Sequence, residues 1–242
     1  MGLNSGVDWT DHTWNPWQGC RKVSPGCLNC YMYRDKKRYG HDPATVIRSK
    51  VPTFNAPLKW KEPARVFVCS WSDFFISDAD PWREEAWEIM RRTPHLTYML
   101  LTKRAENIKD RLPVDWPLKN VWLGVTAENS EEATARISTL IEIQAPVRFV
   151  SVEPMLGPID LRPYLHPGLF PDPTEIGRYY PPVDWVICGG ESGPGARWMA
   201  NEWAFELKKQ CVTAGVPFFM KQMARKDPIP GFLQGREFPE GF

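Results

Sequence analysis

The sequence predicts an α/β fold built as a full or partial barrel of parallel strands. Three observations carry this. Six short apolar runs recur along the chain, β-branched or aromatic and without a polar face, as strands buried on both sides should be. Helical patterns lie between them. Reactive polar residues gather at the carboxyl ends of the runs, the end where a parallel barrel builds its active site. A doubly wound open sheet has the same strand–helix alternation and stands as the alternative.

The elements follow in order. The stretch "HTWNPWQGC" (12–20) offers a first strand, and "CYMYRDKKRYG" (30–40) has a helical pattern. The six runs are "ARVFVCSWSD" (64–73), "LTYMLLTKR" (96–104), "NVWLGVTAEN" (120–129), "VRFVSVEPMLG" (147–157), "VDWVICGGESG" (183–193) and "VPFFMKQM" (216–223). "DPWREEAWEIMRR" (80–92) predicts a helix with an Asp cap, Pro81 in its first turn, acids early and arginines late, which suits the helix dipole. Residues 129–143 and 201–215 follow the same grammar, the last closing on a glycine. "RPYLHPGLFPDPTEIGRYYPP" (162–182) is too proline-rich for an element and reads as a long surface insertion or lid. Without an internal repeat or an interdomain linker, residues 1–242 read as one domain.

At 242 residues the chain can bury one substantial core, and its 43% hydrophobic and 24% charged residues are ordinary for a soluble globular protein. A net charge of +1 provides no global field toward DNA or membrane, although 30 Lys and Arg residues leave room for a local basic patch. No apolar run approaches a membrane span, and no charged-then-apolar leader is present. Six cysteines, clustered unevenly in a chain of this size, fit reduced thiols in the cytoplasm better than a disulfide framework. Most of the 12 tryptophans read as packing residues; Trp71 and Trp198 are candidates to stack on a flat substrate.

The polar strand-end residues form the first candidate set: Ser70, Ser72 and Asp73, then Lys103 and Arg104, Thr126 and Glu128, Glu153, the turn Gly189-Gly190-Glu191, and Lys221. A single polar residue at a strand tip ends the strand or caps a helix as often as it does chemistry. Six such ends in succession, two of them with a glutamate directly after an apolar run, argue for a shared site. "GGESGPGAR" (189–197) matches neither a dinucleotide fingerprint nor a phosphate loop, and equally reads as a tight turn whose glycines admit a close ligand.

The second set is Cys20, Cys27 and Cys30, spaced Cys-x6-Cys-x2-Cys on a loop (19–31) that bends at Pro25 and Gly26. Three thiolates are one short of the usual structural zinc site, which His12 or His41 would have to complete. They are the right number to hold a four-iron cluster with one iron open. The spacing favours the cluster. A non-enzymatic module, with zinc on this loop and a surface that grips nucleic acid or a protein, is the rival reading.

"WTDHTWNPWQGCRKVSPGCLNCY", "FVCSWSDFF", "LLTKR", "NVWLGVTAEN", "RFVSVEPMLGPIDL", "WVICGGESGPGAR" and "VPFFMKQ", in this order from Trp9 to Gln222, resemble the phage and bacterial radical-SAM-like three-Cys-motif proteins. The resemblance implies a partial (βα)6-type, TIM-like barrel with a [4Fe–4S] cluster on Cys20, Cys27 and Cys30 that cleaves S-adenosylmethionine (SAM) to a 5′-deoxyadenosyl radical. It implies an external electron donor such as flavodoxin, a host-cytoplasmic setting if the chain is phage-encoded, and no membrane. Some phage relatives serve thymidine hypermodification in DNA by isomerase-type rearrangement, and spore photoproduct lyase is a distant analogue. A peptide or small metabolite is the alternative substrate, and a partner protein is compatible with either. Two features depart from the superfamily. The first cysteine gap is three residues longer than the common Cys-x3-Cys, and Asn29 stands where an aromatic residue usually precedes the last cysteine, with Tyr31 after it.

On this resemblance, Ser70, Ser72 and Asp73 are expected to hold the methionyl amine of SAM. Thr126 and Glu128 are expected at ribose hydroxyls, and Gly189 and Gly190 along the cofactor. Glu153, Glu191 and Lys103 are the candidate catalytic residues. Arg104, Arg197 and Lys221 are candidates for a substrate phosphate or carboxylate.

Overall fold

The computed structural model describes residues 5–166 and 182–240, in two compact units, Met1–Gly124 and Val125–Phe242. The first unit contains β1 (His12–Trp14), β2 (Trp17–Gln18), α1 (Tyr31–Arg38), β3 (Ile47–Arg48), α2 (Val51–Phe54), β4 (Ala64–Val68), α3 (Asp80–Arg92), β5 (Leu96–Thr102) and most of β6 (Val121–Thr126). β4 is central: it pairs in parallel with β1, Val66 opposite His12, and with β5, Val68 opposite Leu100. β6 lies beyond β5 in the strand order, anchored by the Tyr98 N–H donating to the Asn120 carbonyl at 2.8 Å. The expected first strand is therefore present.

Aromatic residues build this core. Trp14 and Trp17 are fully buried, and each indole N–H finds a carbonyl, Trp14 that of Phe54 at 3.0 Å and Trp17 that of Asp73 at 3.1 Å. Phe74 lies tilted against Trp17 and meets Phe75 and Trp87 in edge contacts. The packing reading holds for these tryptophans. α3 covers the predicted span, but Asp80 is not its cap. Ala79 is the N-cap, and the Asp80 carboxylate accepts from Arg111 Nε at 2.8 Å and from Arg83.

The second unit contains the end of β6, α4 (Ser130–Ile141), β7 (Arg148–Val152), α5 (Arg162–Leu165), β8 (Trp185–Gly189), α6 (Asn201–Ala214) and β9 (Phe218–Gln222). β7 and β8 pair in parallel, Ser151 opposite Ile187, as do β8 and β9, Ile187 opposite Phe219. Every residue of β7 and β8 is buried, Arg148 and Ser151 included, as their mainly apolar runs predict. The Asn129 side chain caps α4 by accepting from the Glu132 N–H at 2.9 Å, and Gly215 closes α6 at φ 69°.

The α/β class with parallel strands is thus observed in both units. Two connections differ from expectation. Between β5 and β6 run short 3-10 turns, Ala105–Asn107 and Lys109–Arg111, in place of an α-helix. The proline-rich segment 162–182 opens with the helical turn α5, Pro163 sitting in the first turn where its missing N–H costs nothing. Its residues 167–181 lie outside the described residues.

Candidate functional site

The cysteine loop is pinned at its entrance. Gly19 has φ +98°, and a Cβ there would lie 2.1 Å from the Thr45 carbonyl oxygen, so only glycine fits. Its N–H donates to the Trp71 carbonyl at 2.9 Å, and its carbonyl accepts from Ser72 Oγ at 2.5 Å. A 3-10 turn, Pro25–Cys27, then carries the chain to Cys30, which stands at the N-cap position of α1. All six cysteines are free, and Cys20, Cys27 and Cys30 are half-buried where Cys69, Cys188 and Cys211 are buried.

The Tyr33 hydroxyl donates to the Cys20 carbonyl at 2.6 Å. Burial pushes the phenol up. Among the described residues no three His, Cys, Asp or Glu side chains close into a metal-holding group. The donor chemistry nevertheless suits an iron–sulfur cluster: three soft ligands and one cation poised beside them. His12 and His41, the candidates for a fourth zinc ligand, join no such group. The His12 ring lies tilted against Trp60 at 4.7 Å.

The cation is Arg104, which is only 5% exposed. Its Nη1 donates to Cys20 Sγ at 3.5 Å and to Asp73 Oδ2 at 3.1 Å, and its Nη2 to the Arg21 carbonyl at 2.7 Å. Arg104 thus joins Asp73 to the cysteine loop. Burial, reinforced by the Asp73 charge and opposed by Arg104, pushes the Cys20 thiol up to about 12. Cys20 is then a neutral thiol near pH 7, donating to the Arg21 carbonyl at 3.4 Å.

Asp73 is fully engaged as well. Its carboxylate accepts from the N–H groups of Phe75 (2.9 Å) and Lys103 (3.0 Å), from Thr102 Oγ1 (2.7 Å) and from Arg104. Ser70 Oγ bonds Asn15, whose Nδ2 donates to it at 2.9 Å, and the Ser70 carbonyl accepts from the Tyr31 hydroxyl. Ser70, Ser72 and Asp73, expected to grip an amine, instead bolt the strand ends to the cysteine loop. Lys103 is half-buried, and its ammonium has no hydrogen-bond or ion-pair partner among the described residues. Gly19, Asn15, Tyr31 and Tyr33 were not among the expected site residues. The one signal for them in the sequence is their place inside or directly beside the "WNPWQGC" and "CYMY" segments.

In the second unit the expected residues divide. Glu128 is 0% exposed and accepts from Arg136 Nη1 at 2.7 Å, the same nitrogen that donates to the Thr126 carbonyl at 2.8 Å. This buried ion pair ties α4 to the end of β6. Gly190 is needed for packing: a Cβ there would meet the Ala224 nitrogen at 2.4 Å. Its N–H and carbonyl are both bonded to Gln222, so the Gly190 amide is already engaged. Glu191 holds Arg197 by both its backbone N–H, at 2.8 Å, and its guanidinium, closing the turn on itself. Trp198 is 64% exposed, with Trp203 in edge contact at 5.4 Å.

Glu153, Gly189 and Lys221 remain together. They stand at the ends of the adjacent strands β7, β8 and β9, and the Lys221 ammonium pairs with the Glu153 carboxylate. A Cβ on Gly189 would lie 3.3 Å from Glu153 Cδ, so the glycine leaves the carboxylate its room. Both charged side chains keep about a fifth of their surface exposed, 19% for Glu153 and 21% for Lys221.

Among the described residues no helix is long and apolar enough to cross a membrane. Neither the curated proteins nor the solved structures contain a match to the chain. The model of the family described as "Protein of unknown function (DUF5131)" matches residues 4–230, nearly the whole sequence, and the chain belongs to that family.

Proposed function

We propose that this chain is a radical SAM enzyme with a partial-barrel fold, that Cys20, Cys27 and Cys30 hold its [4Fe–4S] cluster, and that it acts on a modified thymidine in DNA with isomerase-type chemistry. The observation that carries the reading is the loop itself: three free, half-buried thiols on one pinned segment, with a buried guanidinium 3.5 Å from the first sulfur. Such a cluster, when bound, supplies one-electron cleavage of SAM to a 5′-deoxyadenosyl radical.

The chain's own residues set the stage for that chemistry. Arg104 offsets the negative charge Cys20 acquires on becoming a ligand, and Asp73 fixes the Arg104 guanidinium in place. Gly19 and Ser72 hold the loop entrance against the end of β4. Lys103, half-buried and unpaired, is suited to a carboxylate or phosphate. In the second unit the paired and partly exposed Glu153 and Lys221 are the charged groups best suited to proton transfer.

Local charge favours a nucleic-acid substrate. Residues 19–50 contain eight Lys or Arg (Arg21, Lys22, Arg34, Lys36, Lys37, Arg38, Arg48, Lys50) against Asp35 and Asp42, in a chain whose net charge is only +1. Six of these are exposed; Arg21, Lys22 and Arg34 are held by Asp78, the Leu28 carbonyl and Asp35, which leaves Lys37, Arg38 and Lys50 suited to contact with a phosphate backbone. A base in duplex must leave the stack, at a cost of roughly a few kcal/mol.

The test is anaerobic. The purified protein should be brown, and SAM with dithionite should release 5′-deoxyadenosine. Nucleosides from DNA of cells with and without the protein should differ by mass. A colourless, zinc-loaded protein inert to SAM would rule the enzyme out in favour of a binding module.

A further inference from the structure

A cavity of about 860 Å³ runs along α6 in the second unit, and its lining includes none of the residues of the proposed enzyme site. The volume falls within the usual range for small-molecule sites. One wall is α6 itself. Trp203, Glu206, Lys209, Gln210 and Thr213 recur every three or four residues, which makes one stripe of the helix about 15 Å long. The facing wall is the connection from β7 into α5, residues 158–163. Hydrogen bonds clamp the two walls together. Gln210 Oε1 accepts from the Leu161 N–H at 2.7 Å, and Gln210 Nε2 donates to the Ile159 carbonyl at 3.0 Å. At the start of α4, Ser130 Oγ donates to the Pro158 carbonyl at 3.0 Å. The groove is thus held in shape by the chain's own bonds.

Its floor and rims differ in chemistry. Ile159 is buried and Pro163 and Trp203 are half-buried, whereas Asp160, Arg162, Glu206 and Lys209 are exposed. Trp203 is braced by Trp198, in edge contact with ring centres 5.4 Å apart. Each rim carries one anion and one cation. Arg162 Nε and Nη2 donate to the two Asp160 carboxylate oxygens at 2.8 and 2.6 Å, and the Lys209 ammonium stands 4.0 Å from Glu206. The four charges cancel, so the groove exerts no net pull on an ion. What remains is a row of N–H donors and carboxylate acceptors on both sides of an apolar, aromatic floor. A sugar ring matches this pattern: its C–H face is apolar, and the hydroxyls around it each donate and accept. A nucleobase has fewer polar atoms, each fixed as donor or acceptor. We infer that the groove beside α6 binds an uncharged oligosaccharide. A ring face packs on Trp203 over Ile159 and Pro163, and the hydroxyls bond the Asp160–Arg162 and Glu206–Lys209 pairs. The inference rests on this groove and is independent of the cluster on the cysteine loop.

The experiment uses the full chain with maltotriose and cellotriose as probes, and thymidine and an uncharged blocked tripeptide as controls. Saturation-transfer NMR titration is the readout. At least one of the two sugars is expected to show transfer at its ring C–H protons while neither control does. Its affinity should be unchanged when salt is raised, because the ligand carries no charge to screen. Trp203→Ala should weaken binding roughly tenfold, and Trp203→Phe should retain most of it. Glu206→Ala, at an exposed position, should weaken binding several-fold and decides the matter if Trp203→Ala folds poorly. Cys27→Ala should bind the sugar as the parent does, which separates this groove from the cluster. No transfer to either sugar, equal transfer to a control, loss of binding at high salt, or unchanged binding in Trp203→Ala and Glu206→Ala would overturn the proposal.

Discussion

The two units use polar residues at strand ends in opposite ways. In the first, Asp73 holds Arg104, Arg104 and Ser72 bond the cysteine loop, and Asn15 bonds Trp71 beside it; the groups that remain are three thiols and Lys103. In the second, Glu128–Arg136 and Glu191–Arg197 are tied off in the same manner, but among the described residues Glu153 and Lys221 hold only each other. A charged residue after an apolar run is thus a support where it is buried with several donors, and a candidate for chemistry where it has one replaceable partner.

The largest effect expected from breaking this contrast is at Gly19. Gly19→Ala drives a Cβ into the Thr45 carbonyl at a backbone angle that L-residues avoid. It should cost roughly 4 kcal/mol or more, or prevent folding of the first unit. Urea denaturation measures it, and a loss below ~1 kcal/mol would mean the loop entrance is not pinned. Next is Asp73→Ala, which leaves Arg104 buried without its carboxylate. About 3–5 kcal/mol is expected, with Asp73→Asn markedly milder because it retains hydrogen-bond acceptors. Equal losses in the two variants would contradict an electrostatic role.

In the second unit the same kind of deletion should cost less. Glu153→Gln and Lys221→Met are expected to lower unfolding free energy by about 1–2 kcal/mol, between the cost for exposed and for buried pairs, since each side chain keeps about a fifth of its surface exposed, while abolishing turnover. A large stability loss would class this pair with Glu128–Arg136.

The smallest effects are in the acid limb of the stability curve, and they have opposite signs. The Arg65 guanidinium and N–H hold the Asp11 carboxyl below its usual value. Its contribution is present above the unfolded pKa of about 3.9 and is lost as pH falls through the folded value. Burial pushes Asp184 up, against the Arg148 N–H that donates to it at 2.7 Å. Its ionisation opposes folding above the unfolded pKa, and that penalty disappears as pH falls through it. Asp11→Asn should therefore flatten the loss of stability on acidification, and Asp184→Asn should steepen it. Chemical denaturation at a series of pH values shows whether the slopes part in these directions.

Much of the fold was legible because it follows from short-range pattern. α3, α4 and α6 carry their own proline, cap or glycine signals, and β7 and β8 are mainly apolar on both faces because both faces are buried. The paired residues of β2 and β3 and the single turns α2 and α5 are too short for any period to register. The cysteine spacing was legible too, but its surroundings were not. Arg104 after "LLTK" looks like any basic residue at a strand end, and only folding brings it to Asp73, 31 positions upstream, and to Cys20, 84 upstream. The same holds for Glu128, whose burial depends on Arg136 turning inward from α4.

The most direct test of the central claim is the iron and acid-labile sulfide content of the anaerobically reconstituted chain, compared with its Cys27→Ala variant. The account predicts about four of each per chain, with visible absorption that SAM perturbs, and near-complete loss of both in the variant. Full iron and sulfide in Cys27→Ala, or zinc in place of iron in the parent, would contradict it.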